Sequence, residues 1–271
     1  MTNFSVLISL YYKEDPLFFS QAIESIVTQS LQPTEVIIVK DGPLTEKLDK
    51  KILYYINKYP NFRCIALSHN QGLGKALNEG LKYCNYDLIA RMDTDDIAKP
   101  DRFEKQIKFM VEHPNIDACS AWIDEFIGDK NNIISQRTLP ETPEELYLFG
   151  KSRNPLNHPC VMFRKKAVLA AGGYQHFPLF EDYYLWVRML MNGSQIYNLQ
   201  ESLLYFRSSA EMFKRRGGFK YALTEMKFQK VLYGIGYINL TQLIKNCTTR
   251  FIARIIPNKL REILYKRILH K

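Results

Sequence analysis

A mixed α/β fold on a mostly parallel central sheet flanked by helices, with a helical C-terminal extension, is what this sequence predicts, and two observations carry it. Over the first hundred or so residues, short β-type apolar runs alternate with stretches whose apolar residues recur at helical spacing, the order of repeated βαβ units. Beyond Glu211 the character changes to basic and helical. With 271 residues, 46% of them hydrophobic, the chain can bury a core as one large domain or as two halves of one sheet.

The elements follow in order. Val6, Leu7 and Ile8 make a first strand, and Ala22, Ile23, Ile26 and Val27 mark the helix after it. A second strand at 35–39 ends in the turn Asp41-Gly42-Pro43; a helix at 47–58 then sets Leu48, Ile52, Tyr55 and Ile56 on one face. A strand at 63–67, a helix at 73–83 and a strand at 87–92 complete the regular half. In open α/β sheets ligands bind beyond the carboxyl ends of the strands, so Ser9, Asp41, the loop at Asn70 and the acidic run after Met92 are expected to line one crevice.

The second half is more mixed. A helix at 101–112 ends before Pro114, and 118–127 reads as a strand. A proline-rich stretch at 139–143 leads to a polar helix, then to Asn154-Pro155-Leu156-Asn157-His158-Pro159 and a strand at 160–163. Gly172-Gly173-Tyr174 forms a turn, and Glu181-Asp182 opens an amphipathic helix through Leu185, Trp186, Met189 and Leu190. Further on, Lys214, Arg215 and Arg216 precede a Gly217-Gly218 break. The last stretch intersperses Phe251, Ile252, Ile255, Leu260 and Ile263 with Arg250, Arg254, Arg261 and Lys266, which suits either an interfacial helix pair on anionic lipid or a helix packed on the domain.

A net charge of +9 and a pI near 9.2 favour anionic company: nucleic acid, an acidic membrane surface or phosphorylated small molecules. Five scattered cysteines without a Cys-x-x-Cys pair suggest neither a zinc site nor a disulfide framework. The chain enters a strand almost at once, without the basic and apolar regions of a signal peptide, and no apolar run reaches the ~18 residues of a membrane span, so a cytoplasmic protein is expected.

Asp93-Thr94-Asp95-Asp96 concentrates the chemistry. Carboxylates this close repel unless protons, basic groups or a metal neutralise them, and hard oxygen donors suit Mg2+ or Mn2+ bound together with phosphates. The plainer reading is a polar turn capping the next helix. Glu181 and Asp182 likewise have a plain reading, as acidic residues favourable at a helix N-terminus, and Asp41-Gly42 as a tight turn.

Taken together, Ser9 to Tyr12 after the first strand, Asp41-Gly42 after the second, Asn70-Gln71-Gly72-Leu73-Gly74-Lys75-Ala76-Leu77-Asn78, Asp93-Thr94-Asp95-Asp96 and Glu181-Asp182 make the chain resemble family 2 glycosyltransferases. The resemblance covers about residues 3–210 and implies a GT-A, Rossmann-like fold, a nucleotide-sugar donor, a divalent metal (Mn2+ or Mg2+) and inversion at the anomeric carbon. It divides the chain into a catalytic domain at 1–210, with a nucleotide-sugar-binding half at about 1–105 and an acceptor-binding half at 106–210, and a basic helical extension at 211–271.

Carried over residue by residue, the resemblance puts Ser9 and Tyr11 by the nucleotide and Asp41 on its base, typically uracil. Gly72 and Gly74 would let the backbone approach the nucleotide, with Lys75 and Asn78 nearby. Asp93 would contact the ribose, Asp95 would bind the metal with Asp93 beside it, and Asp96 would orient the loop or a metal-bound water. Asp182 would be the base that takes the acceptor's proton, with Glu181 raising its pKa or holding the acceptor. His158 would touch the acceptor or the diphosphate, with a structural His as the plainer reading; Trp186 would present an aromatic face to an acceptor sugar or else sit in the core; and Arg207 would sit in a loop that closes on the donor, with Arg215 and Arg216, or on a solvated basic face. Lys40 and Pro43 stand where the family commonly has Asp and Ser, which bears on donor choice.

The function these residues imply is transfer of one sugar, UDP-linked by expectation, to a lipid-linked or oligosaccharide acceptor in bacterial capsule, exopolysaccharide or lipopolysaccharide synthesis. The basic tail would allow peripheral association with the inner face of the membrane. A sugar nucleotidyltransferase would need a glycine-rich loop after the first strand, and residues 9–16 contain no glycine. A non-catalytic nucleotide-binding or nucleic-acid-binding protein is the remaining alternative; the basic residues gather in the tail instead of an aromatic-studded groove, so no nucleic acid partner is expected.

Overall fold

The computed structural model describes residues 2–209 and 218–255. Strand β1 (Ser5–Leu10), helix α1 (Pro16–Val27), β2 (Glu35–Lys40), α2 (Glu46–Lys58), β3 (Phe62–Ala66), α3 (Leu73–Tyr83) and β4 (Leu88–Met92) form the regular half, with β1, β2, β3 and β4 all parallel. The strands alternate their side chains between two buried layers. Val6, Ile8, Val36 and Ile38 pack with Phe19, Ile23, Leu48 and Ile52 of α1 and α2, while Leu7, Ile37 and Val39 pack with Ala76, Leu77 and Leu81 of α3. Helix α1 begins where Asp15 accepts the Leu17 amide at 2.7 Å with Pro16 in the first turn, and α2 begins at the Thr45 cap.

The second half comprises β5 (Ile97–Ala98), α4 (Arg102–Glu112), β6 (Ile116–Phe126), β7 (Ile133–Arg137), α5 (Pro143–Gly150), a 3-10 turn (His158–Cys160), β8 (Met162–Arg164), α6 (Lys165–Ala170), α7 (Glu181–Met191) and β9 (Gln195–Arg207). Among the described residues one sheet runs β3-β2-β1-β4-β8-β6-β9-β5, with β7 beside β6. Its antiparallel pairings, β4 with β8, β6 with β8 and β7, and β5 with β9, all involve the second half.

Two expectations are corrected. The strand expected at 160–163 starts later, because His158 to Cys160 turn in a 3-10 helix first. Arg207, expected in a closing loop, is the last residue of β9, held by the parallel pairing of Phe126 with Arg207. Arg215 and Arg216, expected to help cover the donor, and the tail from Ile256 onward lie outside the described residues.

Helices α8 (Phe219–Gly234) and α9 (Leu240–Ile255) pack against each other. They also complete the core: Phe228, Leu232, Tyr237 and Ile238 belong to the same buried cluster as Leu146, Tyr183 and Trp186. The Phe228 ring stacks on Phe180 at 4.8 Å and meets Phe177 edge-on at 5.0 Å. All five cysteines are free thiols, with Cys84, Cys119 and Cys160 buried.

Candidate active site

The candidate residues of the first half stand at the carboxyl ends of the parallel strands. Just beyond β2, Asp41 accepts the Gln71 amide at 2.7 Å and the Gly72 amide at 3.0 Å, so its buried carboxylate organises the loop into α3. Gly72 is the N-cap of α3 with φ of 88°, a conformation that favours glycine, and a Cβ there would meet open space. Ser9 stands one residue from the end of β1, and Tyr11 is 37% exposed against Tyr12 at 5.9 Å.

At the end of β4 the acidic run is held from three sides. Arg91, 1% exposed, grips Asp93 with both terminal nitrogens, Nη1 to Oδ2 at 2.7 Å and Nη2 to Oδ1. Thr94 Oγ1 donates to Glu14 from the β1–α1 loop. The Arg207 amide donates to Asp96 Oδ1 at 2.8 Å, while its Nε donates to the Asp95 carbonyl at 2.8 Å and its guanidinium lies 3.9 Å over the Phe18 ring. Arg207 therefore braces the acidic loop from a fixed strand.

Oxygens of Asp93, Asp95 and Asp96 all lie within 4.8 Å of one another. Burial, then Asp93 and Glu14, pushes the Asp95 carboxyl up to about 7; burial with Asp95 and Asp93 raises Asp96 well above the usual range; burial raises Glu14 as well. Asp96 Oδ2 is buried without a hydrogen-bond partner. A carboxylate set that resists its own ionisation, with one oxygen orphaned, fits a hard divalent cation such as Mg2+ or Mn2+.

The second half supplies the opposite wall. Asp182, in the first turn of α7, accepts from Asn154 Nδ2 at 2.6 Å, and burial pushes its carboxyl up. Glu181 is raised by burial and by Asp182, with His176 acting in the opposite sense. A Cβ on Gly74 would lie 3.3 Å from Tyr174 Cβ and 3.4 Å from Glu181 Cγ, so the first turn of α3 abuts the first turn of α7. Asn78 is tied by two hydrogen bonds, Nδ2 to the Tyr174 carbonyl at 2.6 Å and Oδ1 from the Tyr174 amide at 2.8 Å. Gly74 and Asn78 thus join the two halves, a different task from the expected approach to a nucleotide. Lys75 alone of that group stands exposed on the helix surface.

Trp186 is 0% exposed, packed on Phe163 and His158, and so has no face to offer an acceptor sugar. His158 is buried, which pushes its imidazole well below the usual range, and its Nε2 is hydrogen-bonded with the Tyr174 hydroxyl at 2.9 Å. In this structure Trp186 and His158 form a buried, neutral pair instead of an exposed face, the plainer of the two readings for each. Arg91, Asp182 and Asp93 all act electrostatically on the Tyr174 hydroxyl, which places that hydroxyl between the two acidic sides.

Arg91, Glu14 and Asn154 were not singled out by sequence reasoning. The signal for Arg91 was a charge inside the apolar run Leu88 to Met92, since a cation on a buried strand must find a carboxylate. Asn154 carried only the weak cue of an Asn-Pro dipeptide, and Glu14 none.

The family model of glycosyl transferase family 2 matches residues 5–170. The chain is 40% identical to the Escherichia coli UDP-Gal:alpha-D-GlcNAc-diphosphoundecaprenol beta-1,3-galactosyltransferase, over 99% of this chain and 97% of that protein. It is 38% identical to the amylovoran biosynthesis glycosyltransferase AmsE of Erwinia amylovora, over 97% and 98%. Among solved structures, S. aureus TarS 1-349 in complex with UDP-GlcNAc matches with a TM-score of 0.68 at 16% identity, covering 99% of this chain and 76% of that one. The mannosyltransferase PcManGT of Pyrobaculum calidifontis, solved with GDP-Man and Mn2+, matches with a TM-score of 0.61 at 14% identity, covering 98% and 79%. Those two structures share the GT-A fold with this chain, and the sequence matches settle its kinship: the chain belongs to glycosyl transferase family 2.

Proposed function

We propose that this glycosyltransferase moves one sugar from a UDP-linked donor, with inversion, onto a hydroxyl of a lipid-linked glycan in bacterial surface polysaccharide synthesis. The observation that carries the reading is a cation-seeking cluster at Asp93, Asp95 and Asp96 together with a buried Asp182, Asp93 and Asp182 both acting electrostatically on the Tyr174 hydroxyl. The E. coli relative, whose name specifies a UDP-sugar donor and a diphosphoundecaprenol-linked acceptor, supports the substrate class.

In this reading Asp41 and Asp93 read the base and ribose, with Ser9, Tyr11 and Gly72 lining the nucleotide and Lys75 reaching its phosphates. Asp95, flanked by Asp93 and Asp96, would hold a Mn2+ or Mg2+ ion, which when bound neutralises charge on the departing diphosphate. Asp182 accepts the proton of the acceptor hydroxyl as its oxygen bonds to the anomeric carbon and the bond from that carbon to the UDP oxygen breaks. Burial suits Asp182 to the role, because a carboxyl raised above its ordinary range is a stronger base once ionised. Glu181 beside it holds the acceptor, and Arg207 keeps the acidic loop in place.

Among the described residues no helix is long and apolar enough to cross a membrane. Helices α8 and α9 expose Phe219, Leu223, Leu240, Ile244 and Ile252 alongside Lys220, Lys227, Lys230 and Lys245. That composition supports peripheral docking on an anionic inner leaflet, where a lipid-linked acceptor would be met.

The test is nucleotide release from a panel of nucleotide sugars with Mn2+ or Mg2+, with and without a lipid-diphosphate-linked N-acetylglucosamine acceptor. Metal-dependent UDP release from one donor, accelerated by acceptor, lost in Asp95→Ala and in Asp182→Asn, is the expected result. Donor turnover undiminished by either substitution would sink the reading.

A further inference from the structure

We propose that the C-terminal helix pair supports the reaction by fixing the segment that carries Asn154, and that Asn154 is a positioning residue for Asp182. The proposal rests on the reading of Asp182 as base. The segment begins at the end of α5, where the last carbonyls of a helix lack partners of their own. Here the Leu148 and Phe149 carbonyls are met by backbone amides of residues 151–153, and the Tyr147 and Gly150 carbonyls and their successors by side chains from elsewhere. Tyr237 Oη donates to the Tyr147 carbonyl at 3.1 Å, Tyr183 Oη to the Gly150 carbonyl at 2.6 Å, and Asn246 Nδ2 to the Lys151 carbonyl at 2.8 Å. Arg250 Nη2 donates to the Ser152 carbonyl. Three of these four donors belong to α9 or to the connection between α8 and α9.

The donors are themselves locked. Glu225 of α8, 1% exposed, receives Arg250 through Nη1 and Arg254 through Nε at 3.0 Å, and Asn246 Nδ2 also donates to Gln229 Oε1 at 2.8 Å. A buried carboxylate between two arginines is poor evidence of stability, since apolar side chains would pack at least as well. What it supplies is register: only one alignment of α8 with α9 pairs Glu225 and leaves Arg250 pointing at Ser152. Two residues beyond Ser152 comes Asn154, with its Oδ1 accepting the Leu156 amide at 3.4 Å and its Nδ2 on Asp182 Oδ2 at 2.6 Å. The chain of contacts from Glu225 to Asp182 is therefore continuous.

Asn154 does two things for a base. It fixes the rotation of the carboxylate, leaving Oδ1 for the acceptor hydroxyl, and it stabilises the ionised form. The charged and titratable groups around Asp182 are Glu181 on its own helix, Arg91 of β4, Arg137 of β7, Tyr174 of the preceding turn and Tyr183. Losing the Asn154 donor leaves all of them in place, so the change in the base is attributable to that one bond.

The experiment compares Asn154→Ala, the near-isosteric Asn154→Asp and Arg250→Gln with the full-length enzyme, reading kcat, donor KM, Mn2+-dependent UDP binding and the acid limb of the kcat–pH profile. For Asn154→Ala, kcat is expected to fall about tenfold or more with donor KM and UDP binding unchanged, and the acid limb to move to higher pH. Asn154→Asp, which keeps the volume and adds a like charge, should move that limb further. Arg250→Gln should move it in the same direction by less. Asp182→Asn inactive with the Asn154 variants at wild-type kcat and an unmoved acid limb would overturn this assignment alone. An Arg250→Gln protein that loses activity only in step with lost folded protein, its acid limb unmoved, would remove the helix pair from it. Full activity in Asp182→Asn would bring down both the base and the assignment built on it.

Discussion

On the proposed reading, Asp95 couples the acidic loop to pH and to metal in a way that a melting curve can read. Its folded-state pKa, raised from 3.8 to about 7, means that the native protein holds this proton more tightly than the unfolded chain does. The contribution is favourable at low pH and is lost as pH rises through that interval, the reverse of an ordinary salt-bridged carboxylate. The metal-free protein is therefore expected to melt lower at pH 8 than at pH 6, Mn2+ to restore Tm most at the higher pH, and Asp95→Asn to flatten both responses. A Mn2+ shift as large in Asp95→Asn as in the wild type would contradict this. At the buried Trp186, truncation to Ala should cost about 3–5 kcal/mol of stability, measured by denaturant unfolding. An altered acceptor KM with stability intact would instead restore the role of sugar platform. The acidic residues were legible because close carboxylates are a chemical oddity wherever they fall. Arg91 left a local sign, a lone charge in an apolar run two residues before Asp93, but Glu14 and Asn154 acquire meaning only when segments distant in sequence become neighbours.

Helix α3 was legible to the residue, since its apolar face repeats at helical spacing and Gly72 marks its start. Strand β9 was not foreseen. Gln200, Glu201 and Ser202 interrupt its apolar pattern, and its register with β6 shifts at Trp122, so no steady alternation survives to be read. The two-residue β5 exists only through its pairing with β9, which is information a local window lacks. One prediction belongs to the turn after β2. Gly42 has φ of 85°, and a Cβ there would lie 2.5 Å from the Asn70 backbone nitrogen. Gly42→Ala should therefore displace the loop organised by Asp41, costing stability through about 1–2 kcal/mol of left-handed strain and weakening UDP binding, which calorimetric titration would measure. Unchanged affinity would mean that this loop does not touch the nucleotide.

At the scale of the molecule, the sheet joins a parallel half that was plain from its alternation to a half whose antiparallel pairings were not. The basic character of the C-terminal region was visible, but not that Phe228, Leu232, Tyr237 and Ile238 insert into the core. Burying four such side chains is worth about 1.5–3 kcal/mol each, a sum comparable to the whole margin of a typical domain. A chain ending at Ser209 should accordingly lose cooperative unfolding and bind an apolar dye; a sharp thermal transition in that fragment would show the helices to be an appendage. The same architecture sets a timetable during synthesis. The acidic loop emerges early, yet its brace, Arg207, arrives more than a hundred residues later, and the grip on Ser152 later still. A ribosome still translating this message carries a nascent chain that has the acidic loop but not its brace, so the arrangement around Asp93 to Asp96 is complete only once β9 has been made, and the hold on Ser152 only once α9 has.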